Sequence, residues 1–313
     1  MARRLRIHAP GAIYHVMLRG NDKQKIFFSE EDKHKMAFLL DEGTKNFDHS
    51  ILAFCFMDNH VHFAIQVRDD SISTVIQNLA FRYTQYVNRK YKKVGHLFQG
   101  RFKSIIVLGN KYLKELIRYI HLNPVRANLV TFPDKYLWSS HRAYLDLAEF
   151  PWVSRESILS FFRNESDSAD TLVNYNGFIL QGIGIDAEVN FDIGYPDGVL
   201  GDEKLIENFF KNLDKLNQKK IKLPELIDKF CTRFNLLKEE LCSSGKNTLA
   251  SEIRGLLAFF IKEIEESSIQ KLSIYFNRDP SGLSKQKKAI EQKIKQSSEF
   301  AKKMEELRVW IHS

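Results

Sequence analysis

What the sequence has little of narrows it first. Its 313 residues include three cysteines, Cys55, Cys231 and Cys242. They are odd in number and far apart, which excludes a disulfide framework and a cysteine-type zinc site and suits a reducing, cytoplasmic setting. No run of about 18 apolar residues occurs, so no membrane partner is expected. The stretch from Met1 to His8 lacks the apolar segment of a secretion signal. There is no glycine-rich loop ending in Gly-Lys and no repeat of fixed period, which argues against a nucleotide-driven motor and a solenoid. Histidine is nearly missing from the second half: nine of the ten lie in the first 150 residues, and the tenth is His312. Histidine chemistry is therefore expected near the N-terminus.

The rest of the composition is ordinary for a globular chain, 43% hydrophobic and 27% charged. The length allows two domains, or three small ones. The net charge is +8, unevenly spread: residues 1–150 hold 23 Lys/Arg against 14 Asp/Glu, 151–220 hold 7 against 12, and 221–313 hold 17 against 13. Basic segments attract polyanions, nucleic acid above all, although a solvated surface gives the same count. Residues 164–202 are rich in Asn, Asp, Ser and Gly and read as a linker. The chain thus divides into 1–150, an acidic, partly irregular linker region 151–220, and a helical segment 221–300.

The first region alternates in period. Ile13 to Arg19 reads as a strand. Ser29 to Asn46 reads as a helix capped by Ser29, with Glu30, Glu31 and Asp32 at its positive end. Ile51 to Met57 and Val61 to Val67 are strands joined by a turn at Asp58-Asn59-His60. Ser71 to Lys90 carries a helical apolar stripe through Ile72, Val75, Ile76, Leu79, Tyr83, Tyr86 and Val87. Phe102 to Leu108 is a strand, and Asn110 caps a helix that Asn123-Pro124 stops. This order predicts an α+β fold: a ferredoxin-like split β-α-β domain with an antiparallel sheet, one face covered by both helices and the other open for a site. An all-α domain follows.

Two motifs carry the chemistry. His60 and His62 are two apart on a strand, so their imidazoles share a face and can chelate a divalent metal; two histidines beside a turn is the plainer reading. On the helix, Tyr119 and Asn123 are one turn apart at the edge of the apolar stripe, while His121 falls on the opposite flank. A phenol and an amide oxygen so placed can address one metal-bound phosphate, or simply pack and cap. Glu115, one turn before Tyr119, either helps the phenol lose its proton or is a surface carboxylate.

Asp58-Asn59-His60-Val61-His62 resembles the His-hydrophobic-His motif of the single-tyrosine (HUH) transposases, and Tyr119 to Ala127 resembles their tyrosine motif. Arg19-Gly20-Asn21, Gly95 to Ser104 and Trp138 to Tyr144 are similar to segments of the REP-associated branch. The resemblance spans roughly 5–147. It implies that His60 and His62 ligate Mg²⁺ or Mn²⁺, with Asn123 as third ligand where related enzymes use Gln. It implies that Tyr119 is the nucleophile, attacking single-stranded DNA beside a hairpin and leaving a 5′-phosphotyrosine and a 3′-hydroxyl. Both a monomer and a homodimer that exchanges tyrosine helices are compatible with it.

Basic residues beside aromatic ones suit DNA. Arg3, Arg4 and Arg6 form a candidate arm, and Arg101 and Lys103 sit at the entry to a strand. Arg82, Arg89, Lys90, Lys92 and Lys93 cluster with Tyr83, Tyr86 and Tyr91, of which Tyr83 and Tyr86 also fit the core. Further on, Leu223 to Phe234 and Leu249 to Glu265 are amphipathic. Ser268 to Phe276, a turn at Asn277 to Pro280 and a basic helix from Ser281 to Ile290 make a helix-turn-helix pattern. Residues 222–296 resemble the DNA-binding domain of the bacterial replication initiator DnaA. Duplex DNA binding through Arg278, Lys285, Lys287 and Lys288 is what that implies; Pro280 and Gly282 depart from the family where specificity lies. The leading expectation is a DNA transposase and nickase. Its rivals are a catalytically silent DNA-binding regulator derived from one and, more distantly, an RNA-binding protein.

Overall fold

The computed structural model describes residues 6–163, 170–185, 189, 191, 198–218, 221–242, 248–264 and 268–311. The chain divides into two units, Met1–Phe209 and Phe210–Ser313.

The first unit begins with β1 (Ile13–Arg19), α1 (Glu30–Asn46), β2 (His49–Met57), β3 (His60–Val67), α2 (Ile72–Tyr91), β4 (Lys103–Val107) and α3 (Asn110–Arg126). Then come α4 (His141–Tyr144), α5 (Glu156–Leu159), α6 (Asp170–Leu180), β5 (Val199–Leu200) and α7 (Glu203–Gln218), which runs across the boundary. The sheet has the order β2-β3-β1-β4-β5. Its first four strands are antiparallel, as the split β-α-β order predicts, and β5 adds a parallel edge to β4.

Side-chain alternation sorts the two faces of the sheet. Phe56 meets Phe63 and Phe27, and Phe27 also meets Tyr83 of α2. On the other face Cys55, Met57, Ala64, Ile105 and Val107 pack with Leu113, Leu116, Ile117 and Ile120 of α3. The face expected to be open is therefore covered by α3, and the site must lie between sheet and helix. Burial on both faces also explains why β2 is almost wholly apolar. Helices α1 and α2 are tied by Asp32, which is fully buried. Its carboxylate accepts from Lys90 Nζ at 2.8 Å, Tyr91 Oη at 2.8 Å and Tyr86 Oη at 3.1 Å, and from the backbone N–H groups of Phe28 and Ser29.

Two helix-end expectations are corrected. Gly109, at φ 85°, occupies the cap of α3, and Asn110 is its first helical residue. Pro124 lies inside α3 rather than after it. It removes only one backbone donor, and the helix closes a few residues later with Ala127 N–H on the Asn123 carbonyl at 3.0 Å. The linker reading is revised as well. Tyr175, Ile179, Phe191, Val199 and Leu200 are buried in the first unit. The Asn, Asp and Gly residues mark turns there, but the apolar residues between them supply core.

The second unit contains α8 (Leu223–Phe234), α9 (Lys238–Cys242), α10 (Thr248–Phe259), α11 (Ile269–Tyr275), α12 (Pro280–Gln296) and α13 (Ser298–Ile311). Leu226, Phe230, Leu257, Leu272, Phe276 and Leu283 are among its core residues. α10 is shorter than expected, passing into a 3₁₀ turn at Phe260–Glu263, and Glu265 lies outside the described residues. The helix-turn-helix pattern is present as α11 and α12. Ser268 accepts from Lys271 N–H at 3.1 Å and Asp279 from Ser281 N–H at 2.7 Å, so each helix has a side-chain cap. Among the described residues no helix is long and apolar enough to cross a membrane.

Candidate active site

Strand register assembles the first part of the site. In β3, His60 stands opposite Arg19 of β1, and His62 stands opposite Met17. Directly opposed residues of antiparallel strands project to one side, so Arg19, Met17, His60 and His62 share the face that α3 covers, as does His15 by alternation along β1. The His15 and His62 rings stack at 5.1 Å, with His15 Nε2 2.9 Å from His62 Nδ1. His60 sits edge-on to His62 at 4.9 Å, and its Nδ1 lies 2.6 Å from Asn59 Oδ1. Burial first, then the charges of His15, His60 and Arg19, holds His62 well below the usual imidazole range, so it is neutral.

α3 supplies the phenol. Its ring centroid is 5.4 Å from His62 and 5.6 Å from His15, both edge-on. Phe191 lies 5.1 Å from the Tyr119 ring, and the Arg126 guanidinium stands 5.3 Å over it. Tyr119 is 8% exposed. It borders a cleft of about 1070 Å³ between the end of α3 and residues Gly182 to Ile185. Asn123 is half-buried, and its amide nitrogen donates to the Tyr119 carbonyl at 2.8 Å. Among the described residues it has no hydrogen bond to either histidine. Glu115 is paired with Arg118 through both guanidinium donors, which assigns its carboxylate to that ion pair rather than to the phenol.

The donor chemistry fits a divalent ion. With Nδ1 of each ring engaged by a neighbour, Nε2 is the nitrogen that could ligate an ion, and an outer partner on the opposite nitrogen is the usual companion of a metal-bound imidazole. The Asn123 amide uses its nitrogen on backbone and leaves its oxygen as the donor atom. Two imidazoles and an amide oxygen form a nitrogen–oxygen set of the kind divalent ions take. Among the described residues no group of three or more His, Cys, Asp or Glu is arranged to hold a metal; the expected third donor, an amide, is outside that set.

His121 belongs to a different cluster on the opposite flank of α3, as its helical angle predicts. Its Nε2 is 2.7 Å from Ser140 Oγ and its Nδ1 is 2.7 Å from Tyr175 Oη, which is 2.9 Å from His141 Nδ1. With the Ser140 hydroxyl donating to the Phe54 carbonyl, His121 Nε2–H donates to Ser140, Tyr175 donates to His121, and His141 Nδ1–H donates to Tyr175. Every proton is then used, and His141 Nε2 keeps a buried lone pair without a partner. Burial pushes His121 well below the usual range and His141 to about 4, so both are neutral.

The expected DNA-contacting residues fall into distinct settings. Arg3 and Arg4 lie outside the described residues. Arg101 and Lys103 are exposed. Lys103 stands opposite Met17, which stands opposite His62, so one row of the sheet runs from the lysine to the histidine. Arg6 stacks on Phe102 at 3.6 Å. Burial, then the neighbouring Arg101 charge, lowers the Arg6 pKa from the usual guanidinium value. In the cluster at α2, Lys90 pairs with Glu31 and Asp32, Arg82 pairs with Glu42, and Tyr83 donates to the Ile26 carbonyl. In the second unit Lys285 and Lys288 are exposed, Arg278 is half-buried, and Lys287 pairs with Glu291 at 3.7 Å.

Sequence reading missed His15 and Phe191 and gave Arg19 no role. A histidine inside an apolar strand was the available signal for His15. Phe191 had none, since it lies in the stretch read as linker.

The sheet thus carries two co-facing histidines, and the tyrosine helix α3 packs over them. Residues 9–123 match the sequence model of the family described as "Transposase IS200 like". No curated protein sequence matches the chain. A solved structure described as "Structure of the REP associates tyrosine transposase bound to a REP hairpin" is similar at 16% identity and a TM-score of 0.41, over 49% of this chain and 92% of that one.

Proposed function

We propose that the first unit is a metal-dependent, single-tyrosine DNA nickase and strand transferase, acting on single-stranded DNA beside a hairpin. The observation that carries this reading is the contact of the His62 and Tyr119 rings at 5.4 Å, which joins the two motifs across β3 and α3. His60, His62 and the Asn123 oxygen would hold Mg²⁺ or Mn²⁺. The ion, when bound, supplies positive charge to the scissile phosphate. Tyr119 Oη forms a bond to phosphorus while the bond to the 3′-oxygen breaks; the 3′-oxygen takes up a proton and leaves as a hydroxyl, and the 5′-phosphate stays on the phenol. A phenol has a pKa of about 10 and must lose its proton to attack. The phosphotyrosine keeps the bond energy, so rejoining needs no nucleotide. The α11–α12 pair would bind duplex DNA through Arg278, Lys285, Lys287 and Lys288.

A second reading, a silent DNA-binding regulator, draws on the low exposure of Tyr119 under Phe191. Covalent trapping separates the two. Labelled single-stranded hairpin oligonucleotides from the flanks of the gene are incubated with Mn²⁺ or chelator and run on denaturing gels. A metal-dependent adduct that disappears in Tyr119→Phe and His60→Ala supports the nickase. Hairpin binding without any adduct supports the regulator.

A further inference from the structure

We infer that Arg19 is a phosphate-binding residue of this site, contacting a non-bridging oxygen of the DNA phosphodiester that reaches His60. The inference rests on the nickase reading for its chemistry, but its geometry is independent of it. Arg19 ends β1 directly opposite His60 and on the same face as His15 and His62. Opposed strand residues lie about 4.5–5.5 Å apart at Cα, so its guanidinium starts beside the imidazole pair. The strand is stopped at that point by Gly20, where a Cβ would lie 2.0 Å from the Gln24 carbonyl oxygen; only glycine permits the turn that leaves Arg19 last in the row.

The setting of this guanidinium differs from that of three other cations of the first unit. Arg82, Lys90 and Arg118 each have a carboxylate partner. Arg19 has no ion pair among the described residues, is only half-exposed, and its Nε is buried without a hydrogen-bond partner. A buried donor on a permanently charged group costs stability unless something accepts from it. What the arrangement lacks is an anion. A phosphodiester presents two charged oxygens in a plane that a guanidinium fork matches. In phosphoryl transfer, negative charge is spread over those oxygens at the transition state, where a preplaced donor is worth about 10²–10³ in rate.

The test compares Arg19→Gln and Arg19→Lys in the full chain, with Arg68→Gln as control, since Arg68 pairs with Asp48 on the surface. In a Tyr119→Phe background, the affinity for a fluorescein-labelled single-stranded oligonucleotide is measured against salt. Loss of one phosphate contact lowers the slope of log K against log salt by about 0.7. We expect that drop in Arg19→Gln, its recovery in Arg19→Lys, and no change in Arg68→Gln. With Tyr119 restored, Arg19→Gln should slow adduct formation by about 10²-fold or more. An unchanged slope in both Arg19 variants, with or without a lower melting temperature, overturns the proposal and makes Arg19 structural. A lowered slope in a protein that never forms an adduct keeps the phosphate site and removes the nickase reading instead.

Discussion

α3 carries a histidine–tyrosine cluster on each flank, and the two differ in what surrounds them. On one side His15 and His62 meet Tyr119, with His60 edge-on to His62, next to a cleft of about 1070 Å³ and with arginines at Arg19 and Arg126. On the other, His121 and His141 meet Tyr175 with no exposed atom of consequence, each of the three being 0% exposed. The residue types are nearly the same. The first cluster adjoins open space and positive charge, as phosphate chemistry requires. The second has spent its hydrogen bonds on Ser140 and on itself, and so fastens α4 and α6 to α3. Residue type alone therefore does not separate the two clusters; access and surrounding charge do.

The comparison can be broken by substitution. The largest effect is expected at the open cluster. Tyr119→Phe or His62→Ala should reduce adduct formation by at least about 10³-fold, read on denaturing gels, because each removes a reacting or ligating atom. His121→Ala should instead cost about 2–4 kcal/mol in urea unfolding, through a cavity and orphaned partners, while the folded fraction still forms adduct. If His121→Ala abolishes the adduct without loss of stability, the sealed cluster is not structural.

The sealed cluster also has a pH signature. His121 and His141 are neutral in the folded chain, with His141 at about 4, whereas an unfolded histidine titrates near about 6.5. Below about 6.5 the unfolded state binds protons that the native state refuses, so stability is complete above that value and falls as pH drops toward 4. Each such histidine should cost about 1.4 kcal/mol per pH unit in that window, measured by urea unfolding at about pH 7.5 and pH 5. His141→Gln should flatten the dependence, and an equally steep curve in that variant would contradict the assignment. The smallest effect is expected from Tyr175→Phe, about 1 kcal/mol for one bridging hydroxyl.

The sequence made the order of the first four strands and three helices legible, because alternation and capping are local signals. Ser29 and Asp32 marked the start of α1 so well that the helix begins at Glu30. The pairing of His60 with His62 was legible for the same reason. Less local features were not. Which face α3 would cover depends on tertiary packing, so the sheet was expected to be half open. β5 is two residues long, too short for any periodicity. Arg19 lies 41 positions before His60, and only the register of β1 on β3 brings them together. Pro124 was expected to end α3, but a proline in the final turn forfeits just one bond, and Leu122 and Pro124 are both buried.

The most direct test of the account is the chemical address of the DNA adduct. The trapped complex is digested with trypsin and nuclease, and the nucleotide-bearing peptide is sequenced by mass spectrometry. The account predicts a phosphodiester-linked nucleotide on Tyr119, within the peptide bounded by Arg118 and Arg126. A nucleotide on Tyr112, or on any residue outside that peptide, would contradict it.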